Sequence, residues 1–253
     1  MESRSYENNS PHIITHNGPF HLDDVISCYM LKKIYPNAKI TRSRDHGVIA
    51  SGDIVVDVGD TFCVERRRFD HHQRGFHETY SEDYAIKLSS SGLIFKYFGK
   101  EFLSAIGIHT ESESEMKVYK DILYRVYFVS VDAHDNGVEI AEKSAYNLRT
   151  LDDMVKSLVP ACPEATFEEA EIIRRKAFDE AMIWMGKDLE RTCHQLYDQV
   201  IRNMSAVKSA FSMGPSDALY IIMNKGYTSR ELVYYFNRIF KRKVSVIINR
   251  RLG

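Results

Sequence analysis

The sequence has little of what would mark a secreted, membrane-embedded or polyanion-coating protein. It holds four cysteines, Cys28, Cys63, Cys162 and Cys193, and no two of them form a C-x-x-C pair. That spacing suits neither a zinc knuckle nor a disulfide framework, and a reducing compartment is the default. Net charge is −1, so no global basic field advertises nucleic acid and any polyanion binding must rest on local patches. No apolar run approaches the roughly 20 residues needed to cross a bilayer. Internal repeats and low-complexity stretches are missing too. Residues 1–10 are polar, carry two glutamates and resemble neither a secretory signal nor an Arg-rich transit peptide. The expectation is a cytoplasmic or nuclear protein with no membrane partner. What remains is an ordinary folding composition, 44 % hydrophobic and 27 % charged, in 253 residues, enough for one large domain or two modest ones.

The periodicities alternate. His12 to Thr15 reads as a buried strand, broken by Gly18-Pro19. Val25, Ile26, Tyr29, Met30 and Ile34 fall at helical spacing from Leu22 to Tyr35, and Pro36-Asn37 ends that helix. Ala38 to Thr41 and Ile54 to Val58 read as further strands. Strand, helix, strand in alternation predicts an α/β fold with a parallel sheet. Further helices are predicted over Glu82–Phe98 and Ser114–Val131. Pro160 and Pro163 mark a break within 150–166. Thr166 and Glu169 then fit a capping box that opens a long amphipathic helix reaching about Met204. Two strands, Ala218–Met223 and Val244–Ile248, flank a helix from Ser229 to Phe240. The expected organisation is a catalytic domain over 11–150, a linker and helical arm over 151–211, and a small strand–helix–strand unit over 212–253.

Four acidic and histidine-rich segments stand out in the first half: His16-Asn17-Gly18-Pro19-Phe20-His21-Leu22-Asp23-Asp24, Val55-Val56-Asp57-Val58-Gly59, Asp70-His71-His72-Gln73-Arg74-Gly75 and Asp132-Ala133-His134-Asp135-Asn136-Gly137. Functional residues of open α/β sheets collect beyond the carboxyl ends of strands, where His16 and Asp57 fall. His21 and Asp23 are two apart on a loop entering a helix, within reach of neighbouring metals. Asp24 reads as a carboxylate that compensates the helix dipole. Consecutive side chains on extended backbone diverge, so one histidine of Asp70-His71-His72 can ligate a metal while the next faces substrate. Asp70 can accept the proton of the ligating imidazole. Gln73 and Arg74 follow in a polar loop whose charge suits phosphate. Asp132 and Asp135 end a buried helix, where carboxylates are unfavourable without a cation. Mixed imidazole and carboxylate donors suit Mn²⁺, Fe²⁺, Zn²⁺ or Co²⁺. A pair of such ions clamps the oxygens of an in-line displacement at phosphorus, so the class implied is phosphoester or phosphoanhydride hydrolysis.

These strings, with Lys87-Leu88-Ser89-Ser90-Ser91-Gly92 and Asp135-Asn136-Gly137, resemble the melanocyte-proliferating-gene family of metal-dependent 3′–5′ RNA exonucleases, and Asp70-His71-His72 resembles the motif that names the DHH phosphoesterases. The resemblance is close from about His12 to Leu151 and looser to about Phe211. It implies a DHH-type α/β domain with a second lobe and two divalent ions, usually Mn²⁺. It also implies His16 and His21 on one ion, Asp23 on the other and Asp57 between. His71 would be a ligand, and Asp132 the last metal-binding aspartate with Asp135 as competitor. His72, Asp70 and Arg74 would be catalytic, and His72, Gln73, Arg74 and Asn136 would meet the substrate. His134 and Ser91 depart from the family's usual apolar residue and alanine.

Single-stranded RNA or a short oligonucleotide is the expected substrate. The alternatives are a small phosphorylated molecule such as pyrophosphate or a dinucleotide, and a non-catalytic binding module. Arg66-Arg67-Arg68, Lys241-Arg242-Lys243 and Arg250-Arg251 are candidate phosphate grips, with a solvated charge run the plainer reading of the first. Tyr227, Tyr234, Tyr235 and Phe236 are candidate stacking residues, more often core at that spacing. The oligomeric state is left open.

Overall fold

The first strand, β1 (His12–Thr15), is three-quarters buried because Ile13 and Ile14 have apolar surroundings on both faces. In a computed structural model that describes residues 10–138, 148–223 and 230–249, β1 lies within a five-stranded sheet. It is followed by α1 (Leu22–Ile34), β2 (Lys39–Arg42), a short α2 (His46–Ser51) and β3 (Ile54–Val56). Two-residue strands β4 (Phe62–Cys63) and β5 (Arg68–Phe69) complete the order β2-β1-β3-β5-β4. Every pairing is parallel except β4 with β5. Parallel strands covered on both faces carry continuous apolar runs, as Ile54-Val55-Val56 does. The predicted α/β class with a mostly parallel sheet is what the chain adopts.

Helix α3 spans Ser90–Ala105, not 82–98. The segment before it is held extended by a bridge between Thr79 and Lys87, and the Ser89 hydroxyl accepts from Gly92 N–H to cap the helix. Serine competes for the backbone in this way at helix starts rather than inside helices. The expected helix over 114–131 is three pieces: α4 (Glu113–Leu123), a π-helical turn (Tyr124–Phe128) and α5 (Val129–Asp135). The expected break after 150 begins with α6 (Leu151–Leu158), started by a reciprocal cap between Thr150 and Asp153. The Thr166–Glu169 capping box is present, and α7 runs from Phe167 to Met213, longer than predicted.

The chain divides into two compact units. One comprises the residues up to Ile106 with Tyr127–Leu189, the other Gly107–Val126 with the residues from Glu190 onward. These do not coincide with the expected segments 11–150, 151–211 and 212–253. In the first unit, the α1–α3 pair packs closely through Val25, Ile26, Met30, Leu93 and Ile94, all fully buried. The first half of α7 joins them: Phe178 meets Phe20 edge-on at 5.7 Å, and Gly186 lets α7 approach the Tyr29 ring, where a Cβ would collide.

The second unit contains β6 (Tyr220–Met223), α8 (Arg230–Ile239) and β7 (Val246–Asn249), with β6 and β7 parallel. This is the small strand–helix–strand unit expected. Arg242 does not serve as a phosphate grip: it is buried and donates to the carbonyls of Phe211 and Ala218. Tyr234 is exposed with the Arg125 guanidinium over its ring at 3.3 Å, and Phe236 is core. Tyr227, Arg250 and Arg251 lie outside the described residues. No described helix is long and apolar enough to cross a membrane.

Candidate metal centre

The carboxyl ends of β1 and β3 are neighbours in the sheet, so the residues just beyond them meet. His16 leaves β1 buried, and its Nε2 lies 3.3 Å from Asp57 Oδ2 and 3.3 Å from Asp24 Oδ2. Asp57 leaves β3 in the left-handed region, φ 57°. That conformation is rare outside glycine and most tolerated by Asp and Asn, and it is the kind of backbone strain that clusters at functional sites. Across from these, His71 Nε2 lies 3.2 Å from Asp57 Oδ1, 3.1 Å from Asp135 Oδ2 and 3.9 Å from Asp23 Oδ2.

Among the described residues, four overlapping groups each bring one ligand atom per residue within 4.8 Å of one another: His16, His21 and Asp57; Asp57, His71 and His72; Asp23, His71 and Asp135; and Asp23, Asp24 and Asp57. Asp57 belongs to three of the four. Of the sequence-predicted ligands, the structure therefore brings together His16, His21, Asp23, Asp57, His71 and Asp135.

Asp132 belongs to none of these four groups. That carboxylate is fully buried and accepts from the Ser89 N–H at 2.9 Å and the Ser89 hydroxyl at 2.7 Å. Gly92 passes so close that a Cβ there would collide with it. Asp23 is anchored in the same manner one residue on, its Oδ2 accepting from the Ser90 hydroxyl at 2.8 Å. The Ser90 hydroxyl meets that of Ser27 at 3.0 Å, and Ser91 meets Ser89 at 3.0 Å. The serine string thus orients two aspartates.

Asp24 divides its work. Oδ1 accepts from the His21 N–H at 2.8 Å, the expected capping role at the start of α1, while Oδ2 faces His16. The second role was missed in the sequence. Its signal was present, because an N3 carboxylate that caps with one oxygen has a second to direct elsewhere.

Asp70 also differs from expectation. Its Oδ1 accepts from His72 Nδ1 at 2.7 Å and from the His71 N–H at 2.8 Å, and Oδ2 accepts from the Asp60 N–H at 2.6 Å. The imidazole it orients is that of His72, whose side chain is 58 % exposed, and not that of His71. Gln73 Nε2 donates to the Asp70 carbonyl at 3.1 Å. Arg74 is exposed and, with Phe62, Phe76 and His77, lines an open cavity of about 410 Å³ beside the Asp-His-His segment. Asn136 spends both amide protons on the carbonyls of Lys87 and Asp132, so it ties α5 to the loop before α3 rather than presenting donors to a substrate. His134 Nε2 lies 2.7 Å from Asp152 Oδ2, outside the cluster.

The electrostatics are those of a site built around positive charge. Burial, followed by the charges of Asp23, Asp57, Asp132 and Asp24, pushes the Asp135 carboxyl up to about 9. Burial likewise raises Asp23, and raises Asp24 to about 7 even with His16 beside it. Burial would lower His16, but Asp24 and Asp57 outweigh it and hold the imidazole at about 9. Burial opposes ionisation of Asp57 too, yet His16 and His71 on either side keep it well below the ordinary carboxylate range. Buried carboxylates at this density require a counter-charge. His16 Nε2, Asp23 Oδ1, Asp24 Oδ2, Asp57 Oδ1, both ring nitrogens of His71 and Asp135 Oδ2 are buried with no well-formed hydrogen bond, the imidazole Nε2 atoms and the carboxylates meeting only one another at 3.1–3.9 Å. Converging, unpartnered imidazole and carboxylate donors fit divalent transition-metal ions.

The MYG1_exonuc family model, described as an uncharacterised protein family (UPF0160), matches residues 12–250. The chain is 34 % identical over 192 residues to MYG1 protein C694.04c of Schizosaccharomyces pombe, covering 72 % of this chain and 59 % of that protein. It is 42 % identical over 143 residues to human MYG1 exonuclease, covering 54 % of this chain and 38 % of that protein. It therefore spans well under two thirds of these relatives. Among solved structures, exonuclease RecJ bound to manganese aligns at a TM-score of 0.30 and 12 % identity, covering 95 % of this chain and 76 % of that one.

Proposed function

The chain belongs to the MYG1_exonuc family, and from that premise we propose that its metal centre hydrolyses phosphodiesters, acting as a 3′–5′ exonuclease on single-stranded RNA or short oligonucleotides. The observation that carries this reading is the convergence of unpartnered donors on Asp57 from two sides. That relatives are named exonucleases supports the substrate class. The donors divide into one set of His16 and His21 and another of Asp23, His71 and Asp135, with Asp57 common to both sides. Two divalent ions, Mn²⁺ foremost, suit that division. When bound they would supply Lewis acidity at phosphorus and activate water.

The chain's own residues supply the rest. Asp70 fixes the His72 ring through Nδ1, which leaves the other nitrogen to meet a phosphoryl or leaving oxygen. Arg74 stands two residues on, at the mouth of the adjoining cavity, where a guanidinium pairs with a phosphate. Ser89 and Ser90 hold Asp132 and Asp23 so that the centre keeps its shape without reorganising.

The test is Mn²⁺-dependent turnover of single-stranded RNA labelled at either end, beside single-stranded DNA, pyrophosphate and a dinucleotide. The reading predicts stepwise loss from the 3′ end in the wild type and none in Asp57→Ala. Cleavage of small phosphates alone would overturn it.

A further inference from the structure

Opposite the face of α7 that packs on Phe20 and Tyr29, the helix presents four large apolar residues to solvent: Ile172 (62 % exposed), Ile173, Ile183 and Trp184 (52 %). Isolated exposed hydrophobics are ordinary, but these are not scattered. At 3.6 residues per turn the two pairs, eleven residues apart, fall on one stripe about 16 Å apart along the axis. Phe178, Ala181, Met185 and Leu189 are buried on the opposite side. Lys176 and Glu180 lie between the two pairs on the same exposed stripe, and Glu169 and Lys187 lie beyond them.

The order of these residues is self-complementary. Consider a second α7 laid antiparallel, with a two-fold axis crossing at the level of Phe178. Each residue then opposes the one equally far on the other side of Phe178. Ile172 meets Trp184 and Ile173 meets Ile183, so apolar faces apolar. Lys176 meets Glu180 and Glu169 meets Lys187, so each of these four charges on the stripe meets its opposite. A surface that pairs with itself under a two-fold axis is the requirement for an isologous dimer, and four matched pairs in one register distinguish it from an apolar patch awaiting an unrelated partner.

We infer that this face of α7 is a homodimer interface in which two copies pack antiparallel about Phe178. A shallow helix crossing brings the whole stripe into contact. The occupant is a second copy of the chain because the charge order fits its own reversal.

Trp184 is the only tryptophan in the chain, so its emission reports this surface directly. Sedimentation velocity across the micromolar range, read beside Trp184 emission, is expected to show a monomer–dimer equilibrium with a blue shift that follows dimer fraction. Lys176→Glu sets glutamate against glutamate twice and should weaken association about tenfold or more. Lys176→Glu with Glu180→Lys exchanges the partners, restores both pairs and should recover it. Both positions are exposed, so folding is not at stake. A monomer with constant emission at every concentration would overturn the inference. So would a dimer indifferent to Lys176→Glu, or one that the double exchange fails to restore.

Discussion

Asp70 accepts a 2.7 Å hydrogen bond from His72 Nδ1, while its neighbour His71 turns Nε2 to within 3.2 Å of Asp57 and 3.1 Å of Asp135. Two adjacent histidines thereby face different tasks. His71→Ala is expected to cost metal content and activity together. His72→Ala should keep metal content near normal and lower kcat by about 10²–10⁴-fold, the range for a positioned acid or base. Elemental analysis beside single-turnover kinetics separates them, and equal metal loss in both would refute the division. Asp70→Asn should follow His72→Ala in direction with a smaller loss.

Asp135 and Asp132 are separated in the same way. Asp135→Asn removes a carboxylate that meets His71 at 3.1 Å, so Mn²⁺ affinity by calorimetry should fall about 10–100-fold while the metal-free protein melts no lower. Asp132→Ala strips the acceptor from the Ser89 N–H and hydroxyl, leaving buried donors unpaired. The cost there is about 1–3 kcal/mol of stability, read in thermal or denaturant melts without metal.

Gly92→Ala tests the same contact from its other side. A methyl group has no room against the Asp132 carboxylate, and overpacking of this kind costs about 1–3 kcal/mol. The variant should melt earlier than wild type in metal-free buffer, and the loss should shrink when Asp132 is also shortened to alanine.

Stability of the metal-free protein should fall as pH rises. Asp135 and Asp24 hold protons in the folded state up to about 9 and about 7, whereas the unfolded chain releases them near 3.8. Stability therefore declines above that lower value. His16 acts with the same sign: raised from 6.5 to about 9, it contributes fully below 6.5 and loses its contribution as pH climbs through its folded value. Asp57, depressed, acts in the opposite sense: its contribution is full above 3.8 and is lost only as pH falls below that value. Melts of chelator-treated protein should drop by about 5 °C or more between roughly pH 5.5 and 8.5. Mn²⁺ should reverse that drop and release protons on binding. A metal-free melting temperature that rises over the same window would contradict this account of the cluster.

The strand ends were legible because Ile13-Ile14 and Ile54-Val55-Val56 are short apolar runs closed by polar residues, which placed His16 and Asp57 just beyond the carboxyl ends of neighbouring strands. The start of α3 was not. Leu88 lies close enough to Leu93, Ile94 and Phe95 to read as one helical run, although Tyr84, Ile86 and Leu88 alternate with the strand period in a segment that the Thr79–Lys87 bridge holds extended. The choice between Asp132 and Asp135 was equally hidden, for they sit three residues apart on adjoining faces of one helix. The π turn at Tyr124–Phe128 widens the helix just before them and shifts its phase, which no periodicity in the sequence announces. Helix α6 was obscured by Pro160 and Pro163, although its capping pair Thr150–Asp153 was there to be read.

The central claim is a two-ion centre joined through Asp57, and the direct measurement is Mn²⁺ stoichiometry by equilibrium dialysis combined with electron paramagnetic resonance of the bound ions. The account predicts two ions per chain with the signature of a spin-coupled pair, and loss of that coupling in Asp57→Ala. A single isolated Mn²⁺, or a coupled pair that survives Asp57→Ala, would contradict it.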